Sequence, residues 1–276
     1  MARADSEFDI PRRIVLYADE STPALKVEEV GRFLTGTLGI TATAKSDFIA
    51  ARHHGDMEEL ARKLAGARVH DVSKAFERQE ASYGEAMFEL RFLEDPVKKV
   101  PGVLYDGWAM QSLFRDLLPP KERTSKVQHI AFTSRLVGTF ESDGRYHAHV
   151  NVCGFPSIIS TSGIVEAPAK PKQYYLLKRR FVEAGEDVPF ELLKERFAGQ
   201  FIDYDDPRMT EVMKGYALQC ALYLITREAF CDERGCRLFD AHWQSEVFEA
   251  QLGGGKLCPR HEGIVRKIRQ KANKKR

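Results

Sequence analysis

Hydrophobic and polar residues alternate with two different periods along the first third of the chain. The apolar run at 14–19 (IVLYAD) is rich in β-branched and aromatic side chains, which is typical of a buried strand. At 27–39 the apolar residues recur every three or four positions, as they do in an amphipathic helix. A second strand pattern (40–48) and a second helix pattern (57–69) follow. This β-α-β-α order predicts an α/β fold with a mixed, mostly parallel sheet flanked by helices.

The middle of the chain carries mainly strand patterns. We predict strands at 85–94, 127–138 and 146–154, where apolar residues alternate with polar ones or β-branched residues cluster. Residues 100–120 predict a strand or turn that leads into a helix. The small polar residues of 156–165 suit a close-packed strand or an exposed edge strand.

The C-terminal part is predicted to be helical. Two helices with basic faces lie in 172–199, and a long helix begins near residue 207. The long helix is apolar on nearly every side from Tyr216 to Ile225, so we expect it to be buried. A last helix at 240–253 ends at three consecutive glycines. We find no internal repeat, and we predict a single domain over residues 1–276.

Four residues of zinc-binding type lie at short spacings in the last quarter of the chain. They follow the pattern Cys-x4-Cys, twenty-one residues, Cys-x2-His: Cys231, Cys236, Cys258 and His261. Thiolate and imidazole are the ligands of closed tetrahedral Zn²⁺ sites, so we predict a structural zinc in a subregion at 231–261. A disulfide framework is the weaker interpretation, because nothing in the sequence indicates export. His242 is a spare nitrogen ligand that could replace His261.

Composition excludes some classes of protein. The chain has 276 residues, of which 43% are hydrophobic, and no apolar run approaches the length of a membrane span. We therefore expect a soluble, cytoplasmic protein that does not bind membranes. The two cysteines outside the zinc pattern, Cys153 and Cys220, lie in apolar runs and are expected to behave as small buried hydrophobes.

The net charge of +2 is unevenly distributed. Residues 260–276 carry eight Lys and Arg and one Glu, so the rest of the chain is acidic. We predict that 263–276 form a basic tail, either disordered or the frayed end of a helix. Such a tail could contact nucleic acid through phosphates, but no aromatic residues interleave its charges, so a solubilising role is favoured.

The order of these C-terminal features resembles the archaemetzincins, a family of zinc metalloproteases. Their signature is His-Glu-x-x-His-x-x-Gly-x-x-His-Cys-x4-Cys-x-Met, followed after a spacer by Cys-x2-Cys. In that family the three histidines bind a catalytic zinc, the glutamate is the general base and the four cysteines hold a second zinc. The resemblance implies a metzincin-like core with a C-terminal, zinc-bound helical subdomain. More broadly, residues 14–262 resemble uncharacterised archaeal proteins described as metallopeptidases.

The catalytic half of that signature is missing from this chain. Its histidine positions hold Cys220, Leu224 and Phe230, its glutamate position holds Ala221, and its glycine position holds Arg227. Leucine and phenylalanine cannot bind a metal, and alanine cannot accept a proton. The resemblance therefore implies a protein that keeps the structural zinc and has lost peptidase activity. Such a protein can still bind a peptide or another protein along an edge strand.

Two other functions stay open from the sequence, and so does the question of whether the chain is an enzyme. His147 and His149 lie two apart on a predicted strand and so face the same side, and Glu166 could add a carboxylate to a relocated catalytic metal site. The simpler interpretation, which we favour, is that both histidines face solvent or bond to neighbouring groups. The other function is a nucleic-acid-binding zinc module anchored by the basic tail.

Overall fold

Two β-sheets organise the fold. The computed structural model of the chain describes residues 9–95 and 102–274. Its strands are β1 Arg13–Tyr17, β2 Thr41–Lys45, β3 Leu104–Asp106, β4 Val127–Thr133, β5 Leu136–Phe140, β6 Tyr146–His149, β7 Asn151–Val152 and β8 Ser157–Ser160. The larger sheet has the order β2-β1-β4-β8-β7, in which the first four strands are parallel and β7 is antiparallel to β8. The smaller sheet, β3-β5-β6, pairs β5 parallel to β3 and antiparallel to β6.

Helices cover both faces of the larger sheet. They are α1 Val27–Leu38, α2 Phe48–Arg52, α3 Met57–Ala65, α4 Tyr83–Glu94, α5 Gly107–Leu117, α6 Thr161–Glu166, α7 Lys172–Glu183, α8 Phe190–Arg196, α9 Met209–Thr226, α10 Gln244–Val247 and α11 Pro259–Lys274. A 3₁₀ turn lies at Pro120–Glu122, and a π-helical turn at Phe248–Leu252 follows α10. The prediction of a mixed α/β fold with a mostly parallel sheet flanked by helices is confirmed.

Strand β1 shows how the core is divided. Successive side chains of a strand point to opposite faces of a sheet. Ile14 and Leu16 accordingly lie in an apolar cluster with α1, α9 and α11, whereas Val15 and Tyr17 lie in a second cluster with α2, α3 and α5. Burial on both faces explains why β1 reads as a continuous apolar run. Among the described residues, no helix is long and apolar enough to cross a membrane.

The predicted strand at 85–94 is wrong, because these residues belong to helix α4. Ser82 and Glu85 form a capping box that starts this helix. Glu89, in its middle, is fully buried. Its carboxylate is satisfied by three partners from other segments, Arg68, Arg135 and Tyr105. A buried carboxylate with distant partners has no signature in local sequence, so the alternation of polar and apolar residues was misleading.

Three other predicted strands are shorter or divided. The segment 127–138 contains both β4 and the start of β5, and 146–154 contains β6 and β7, which belong to different sheets. In 156–165 only Ser157–Ser160 is a strand, and it lies inside the larger sheet instead of at its edge. Residues 100 and 101 of the segment predicted as strand and helix lie outside the described residues, and the rest forms β3 and α5 as expected.

The basic tail is an ordered helix as far as Lys274. Helix α11 packs against α1, and its buried side chains include Val265, Ile268 and Ala272. These residues are spaced three and four apart, so they form one apolar stripe on an otherwise charged helix. The structure thus gives a packed helix in place of a disordered tail for residues 263–274.

Candidate zinc centre and the neighbouring cleft

The two halves of the Cys/His motif are held by different local structures. Cys231 and Cys236 flank a turn after α9, in which Cys231 N–H donates to the Leu238 carbonyl at 2.9 Å and Cys236 N–H donates to the Glu233 carbonyl at 2.9 Å. Cys258 directly precedes α11, which begins with Pro259, a residue suited to the first helical position. The first turn of this helix then carries His261 towards the cysteines.

All four side chains meet in the buried core. Their ligand atoms lie within 4.8 Å of one another. Cys231 Sγ and Cys258 Sγ are 3.9 Å apart, and His261 Nδ1 lies 3.1 Å from Cys258 Sγ and 3.7 Å from Cys236 Sγ. A tetrahedral ion with Zn–S bonds of about 2.3 Å and a Zn–N bond of about 2.0 Å requires edges of roughly 3.5–3.8 Å. The donor set and its spacing therefore fit Zn²⁺ in a closed structural site.

The surroundings of these ligands suit bound thiolates and a neutral imidazole. Two backbone N–H groups point at sulfur, from Glu233 to Cys231 at 3.4 Å and from Cys258 to Cys236 at 3.5 Å. Burial raises the pKa of the Cys231 thiol to about 12 and lowers the pKa of His261, since a charge without a partner is costly in the core. A bound Zn²⁺ would supply the missing counter-charge to the thiolates of Cys231, Cys236 and Cys258, so its binding would release thiol protons and couple to folding.

His261, and not His242, belongs to this group. The side chain of His242 is 79% exposed, and its Nε2 lies 3.7 Å from the carboxylate of Asp240. His242 borders a neighbouring cleft instead.

That cleft lies beside α9 and encloses about 910 Å³. It is lined by the continuous segment 147–153, by 227–230 and 240–242, and by Tyr216 and Tyr223 of α9. The first segment runs from β6 into β7, so strands of both sheets border the cleft. Charges of both signs are present at its rim, where Arg260 and Glu228 form an ion pair.

Comparison with known proteins identifies the family. Residues 10–268 match the family described as "Probable metallopeptidase family (DUF6775)". The chain belongs to this metallopeptidase family. Among solved structures it is similar to a zinc-dependent peptidase from Methanocorpusculum labreanum, with 12% sequence identity, coverage of 93% of this chain and 99% of the other, and a TM-score of 0.43. No curated protein matches the chain significantly.

In this member of the metallopeptidase family, the helix beside the cleft does not present a set of metal ligands. Cys220 and Ala221 are fully buried, Leu224 is half-buried, and Phe230 is exposed where it lines the cleft. The Cys3His centre is the one group of three or more His, Cys, Asp or Glu residues that could hold a metal within the described ranges 9–95 and 102–274.

The structure does not assemble His147, His149 and Glu166 into a metal site of this kind. The two histidines pair with carboxylates of their own hairpin: His147 Nε2 lies 2.9 Å from Asp143, and His149 Nε2 lies 3.2 Å from Glu141. Glu166 accepts a hydrogen bond from a tyrosine on another segment, Tyr204, at 3.2 Å. A catalytic role for these residues stays a prediction, as does nucleic-acid binding by the basic residues of α11.

The sequence did not reveal the carboxylates beside the two histidines. Glu141 and Asp143 come close because β5 and β6 pair with Thr139 opposite His147. Hairpin register depends on pairing across the turn, so the spacing of the histidines alone could not identify these partners. The tyrosines of α9 that line the cleft were predicted only as buried core positions.

Proposed function

We propose that the protein is a zinc-stabilised, peptide-binding member of its metallopeptidase family, of archaemetzincin type, that no longer hydrolyses peptides. The path of the chain around α9 supports this alignment. Arg227, at the glycine position of the archaemetzincin signature, has a φ of 67°, a left-handed conformation that favours glycine. The cysteine pair of the zinc centre follows a few residues later, as it does in that signature.

The loss of hydrolysis rests on the chemistry of α9 and of the residues that directly follow it. A peptidase zinc needs three protein ligands, an open position for water and a nearby base. Buried Cys220 with Ala221, followed by Leu224 and Phe230, cannot supply them. This replacement of ligands by apolar groups beside a large cleft is the observation that carries the proposal.

Peptide binding is supported by the strands that border the cleft. β6 is the last strand of the smaller sheet and β7 is the last strand of the larger one. Edge strands offer backbone groups to which an extended peptide can pair. Aromatic side chains on the cleft lining, Trp108, Tyr216, Tyr223 and Phe230, offer apolar contacts for the side chains of a bound peptide.

The proposal is tested with zinc-loaded protein and a library of fluorescent, unstructured peptides. Binding is measured by anisotropy, and cleavage is followed by mass spectrometry of the same samples. We expect micromolar binding without cleavage. Phe230→Ala should weaken binding about tenfold, since an aromatic contact of this kind contributes on the order of 1–2 kcal/mol. Phe190→Ala is the matched control, because Phe190 is similarly exposed on α8 and does not line the cleft.

Two results would contradict the proposal. Absence of binding across the library would remove the peptide-binding part. Cleavage that is abolished by Tyr223→Ala, with the fold intact, would show that a catalytic site persists in the cleft.

A cytoplasmic location belongs to the same proposal. None of the five cysteines forms a disulfide bond, which suits a reducing compartment. Trapping of a Cys153–Cys220 disulfide in cells quenched with acid would argue for an oxidising one.

A further inference from the structure

Two cysteines outside the zinc centre lie side by side next to the cleft. Cys153 follows β7, is half-buried and lines the cleft, whereas Cys220 is fully buried in α9. Their sulfur atoms are 3.8 Å apart, although 67 residues separate them in sequence. The other three cysteines are ligands of the zinc centre, so this thiol pair, Cys153 and Cys220, has no role there.

An amide group faces both sulfurs of the thiol pair. Asn151 Nδ2 lies 3.7 Å from Cys153 Sγ and 3.7 Å from Cys220 Sγ. Its orientation is set by Gln219, which is fully buried. Gln219 Nε2 donates to the carbonyl of Phe239 at 3.2 Å, which can only accept, so Gln219 Oε1 is left to accept from Asn151 Nδ2 at 3.1 Å. The amide nitrogen of Asn151, and not its oxygen, therefore faces the sulfurs, and the N–H that is not bonded to Gln219 is the one donor left for them.

An N–H donor that faces two sulfurs favours the negatively charged form that the sulfurs take when they bind a metal. Hydrogen bonds to a thiolate stabilise its charged form, and donors around a metal-bound ligand orient that ligand and tune the site. The zinc centre shows the same feature, with backbone N–H groups directed at Cys231 and Cys236. Since Cys153 borders the cleft, an ion could reach the pair from solvent.

We propose that Cys153 and Cys220 form a second metal site, for a soft monovalent cation of the Cu(I) type. Thiolates select soft ions such as Cu(I), or else Zn²⁺ and iron–sulfur clusters. Zinc sites use at least three protein ligands and iron–sulfur clusters about four, and no third His, Cys, Asp or Glu of the described ranges joins this pair in a ligand group. Cu(I) is satisfied by two thiolates. A site with two sulfur donors therefore favours Cu(I) over Zn²⁺ and over iron–sulfur clusters.

Binding exchanges protons for the metal without electron transfer. The hydrogen bond to Cys220 and burial both raise the pKa of Cys153, so this residue is a thiol at neutral pH when no metal is bound. Uptake of one Cu(I) breaks two S–H bonds, forms two S–Cu bonds and releases two protons to solvent. The copper stays monovalent throughout.

The test is an anaerobic titration of the zinc-loaded, full-length protein with Cu(I), in competition with a chromogenic Cu(I) chelator. Zinc and copper are counted in the protein fraction after each addition. We expect one tightly bound Cu(I) per chain with one zinc retained. Cys153→Ser should lower the Cu(I) affinity at least 100-fold, and Asn151→Leu should lower it about 10-fold, in the range found for residues that support metal ligands. His242→Ala, an exposed residue of the same cleft, is the matched control and should leave the affinity unchanged.

Two outcomes would overturn the second site. One is a Cu(I) affinity that Cys153→Ser leaves unaltered. The other is release of one zinc for each copper bound, which would mean that copper enters the Cys3His centre. Neither result bears on peptide binding in the cleft, so the two proposals fail independently. Cys153 is the residue to replace first, because it is less buried than Cys220 and its change to serine is less disruptive.

Discussion

At the scale of single residues, the zinc centre depends on four side chains that come from two short segments. The three cysteines lie in the apolar cluster that includes α1, α9 and α11, so a metal bound there would be part of the core. A buried thiolate that loses its metal is left without a partner for its charge, so a bound metal would stabilise the fold.

Cys258→Ser is therefore expected to release zinc and to destabilise the protein. Loss of a structural metal belongs to the few changes that cost more than about 4 kcal/mol. The measurements are zinc content of the purified protein and thermal unfolding. His242→Ala is the control, because His242 is exposed and outside the site, and it should keep one zinc and the parental melting temperature. Full zinc content in Cys258→Ser would show that the four ligands do not act together.

Arg227 carries backbone strain that glycine would relieve. It is exposed, ends α9 and has a left-handed backbone. A side chain in this conformation costs about 1 kcal/mol. Arg227→Gly should thus raise the free energy of unfolding by up to about 1 kcal/mol, whereas Arg227→Ala should not. Equal melting temperatures for the two variants would contradict this account.

At the scale of elements, helix α11 is rich in basic residues and still contributes buried side chains to the core. Ile268 is fully buried, while its neighbour Lys267 is exposed. Replacing a buried isoleucine by alanine leaves a cavity that surrounding atoms fill only in part.

Ile268→Ala should accordingly cost about 2–5 kcal/mol of unfolding free energy. Lys267→Ala should change it by less than about 0.5 kcal/mol. Urea denaturation of both variants measures the difference. Equal stability would mean that α11 does not pack against α1 in solution. Because α11 is packed, truncation before residue 263 is a poor test of nucleic-acid binding, since it removes core side chains together with charges.

At the scale of the whole molecule, a buried histidine in the larger sheet makes the free energy of unfolding depend on pH. His129 on β4 is fully buried, its Nδ1 lies 2.8 Å from Tyr17 Oη, and its Nε2 lies 3.8 Å from Glu122. Burial, assisted by the positive charge of Arg52, lowers its pKa to about 4. The folded state therefore holds the neutral ring, and protonation favours unfolding.

Because the folded pKa of His129 lies below its unfolded value of about 6.5, its contribution is complete above pH 6.5. It is lost as the pH falls towards 4, and the total is on the order of 3 kcal/mol. Urea denaturation at several pH values measures the free energy of unfolding as a function of pH. Between pH 6.5 and 4 this free energy should fall less steeply for His129→Gln than for the parent. His54→Gln replaces an exposed histidine and is the control, which should keep the parental slope. Identical slopes for all three proteins would rule out this linkage.

The sequence by itself determined the features that depend on neighbours along the chain. The period of apolar residues predicted β1, α1, α3 and the buried helix α9, because burial of one face imposes that period locally. The spacing of Cys231, Cys236, Cys258 and His261 predicted the zinc centre. Two ligand pairs, each held by a short segment, can bind one ion whatever path the segment between them takes.

Only the tertiary structure decided the features that depend on partners far apart in sequence. Glu89 can be buried in the middle of α4 because Arg68, Arg135 and Tyr105, from other segments, satisfy its charge. The thiol pair Cys153 and Cys220 exists because α9 packs against β7, and no local pattern encodes that contact. Short-range spacing thus specified the metal centre, whereas packing between distant segments shaped the cleft and the groups that face it.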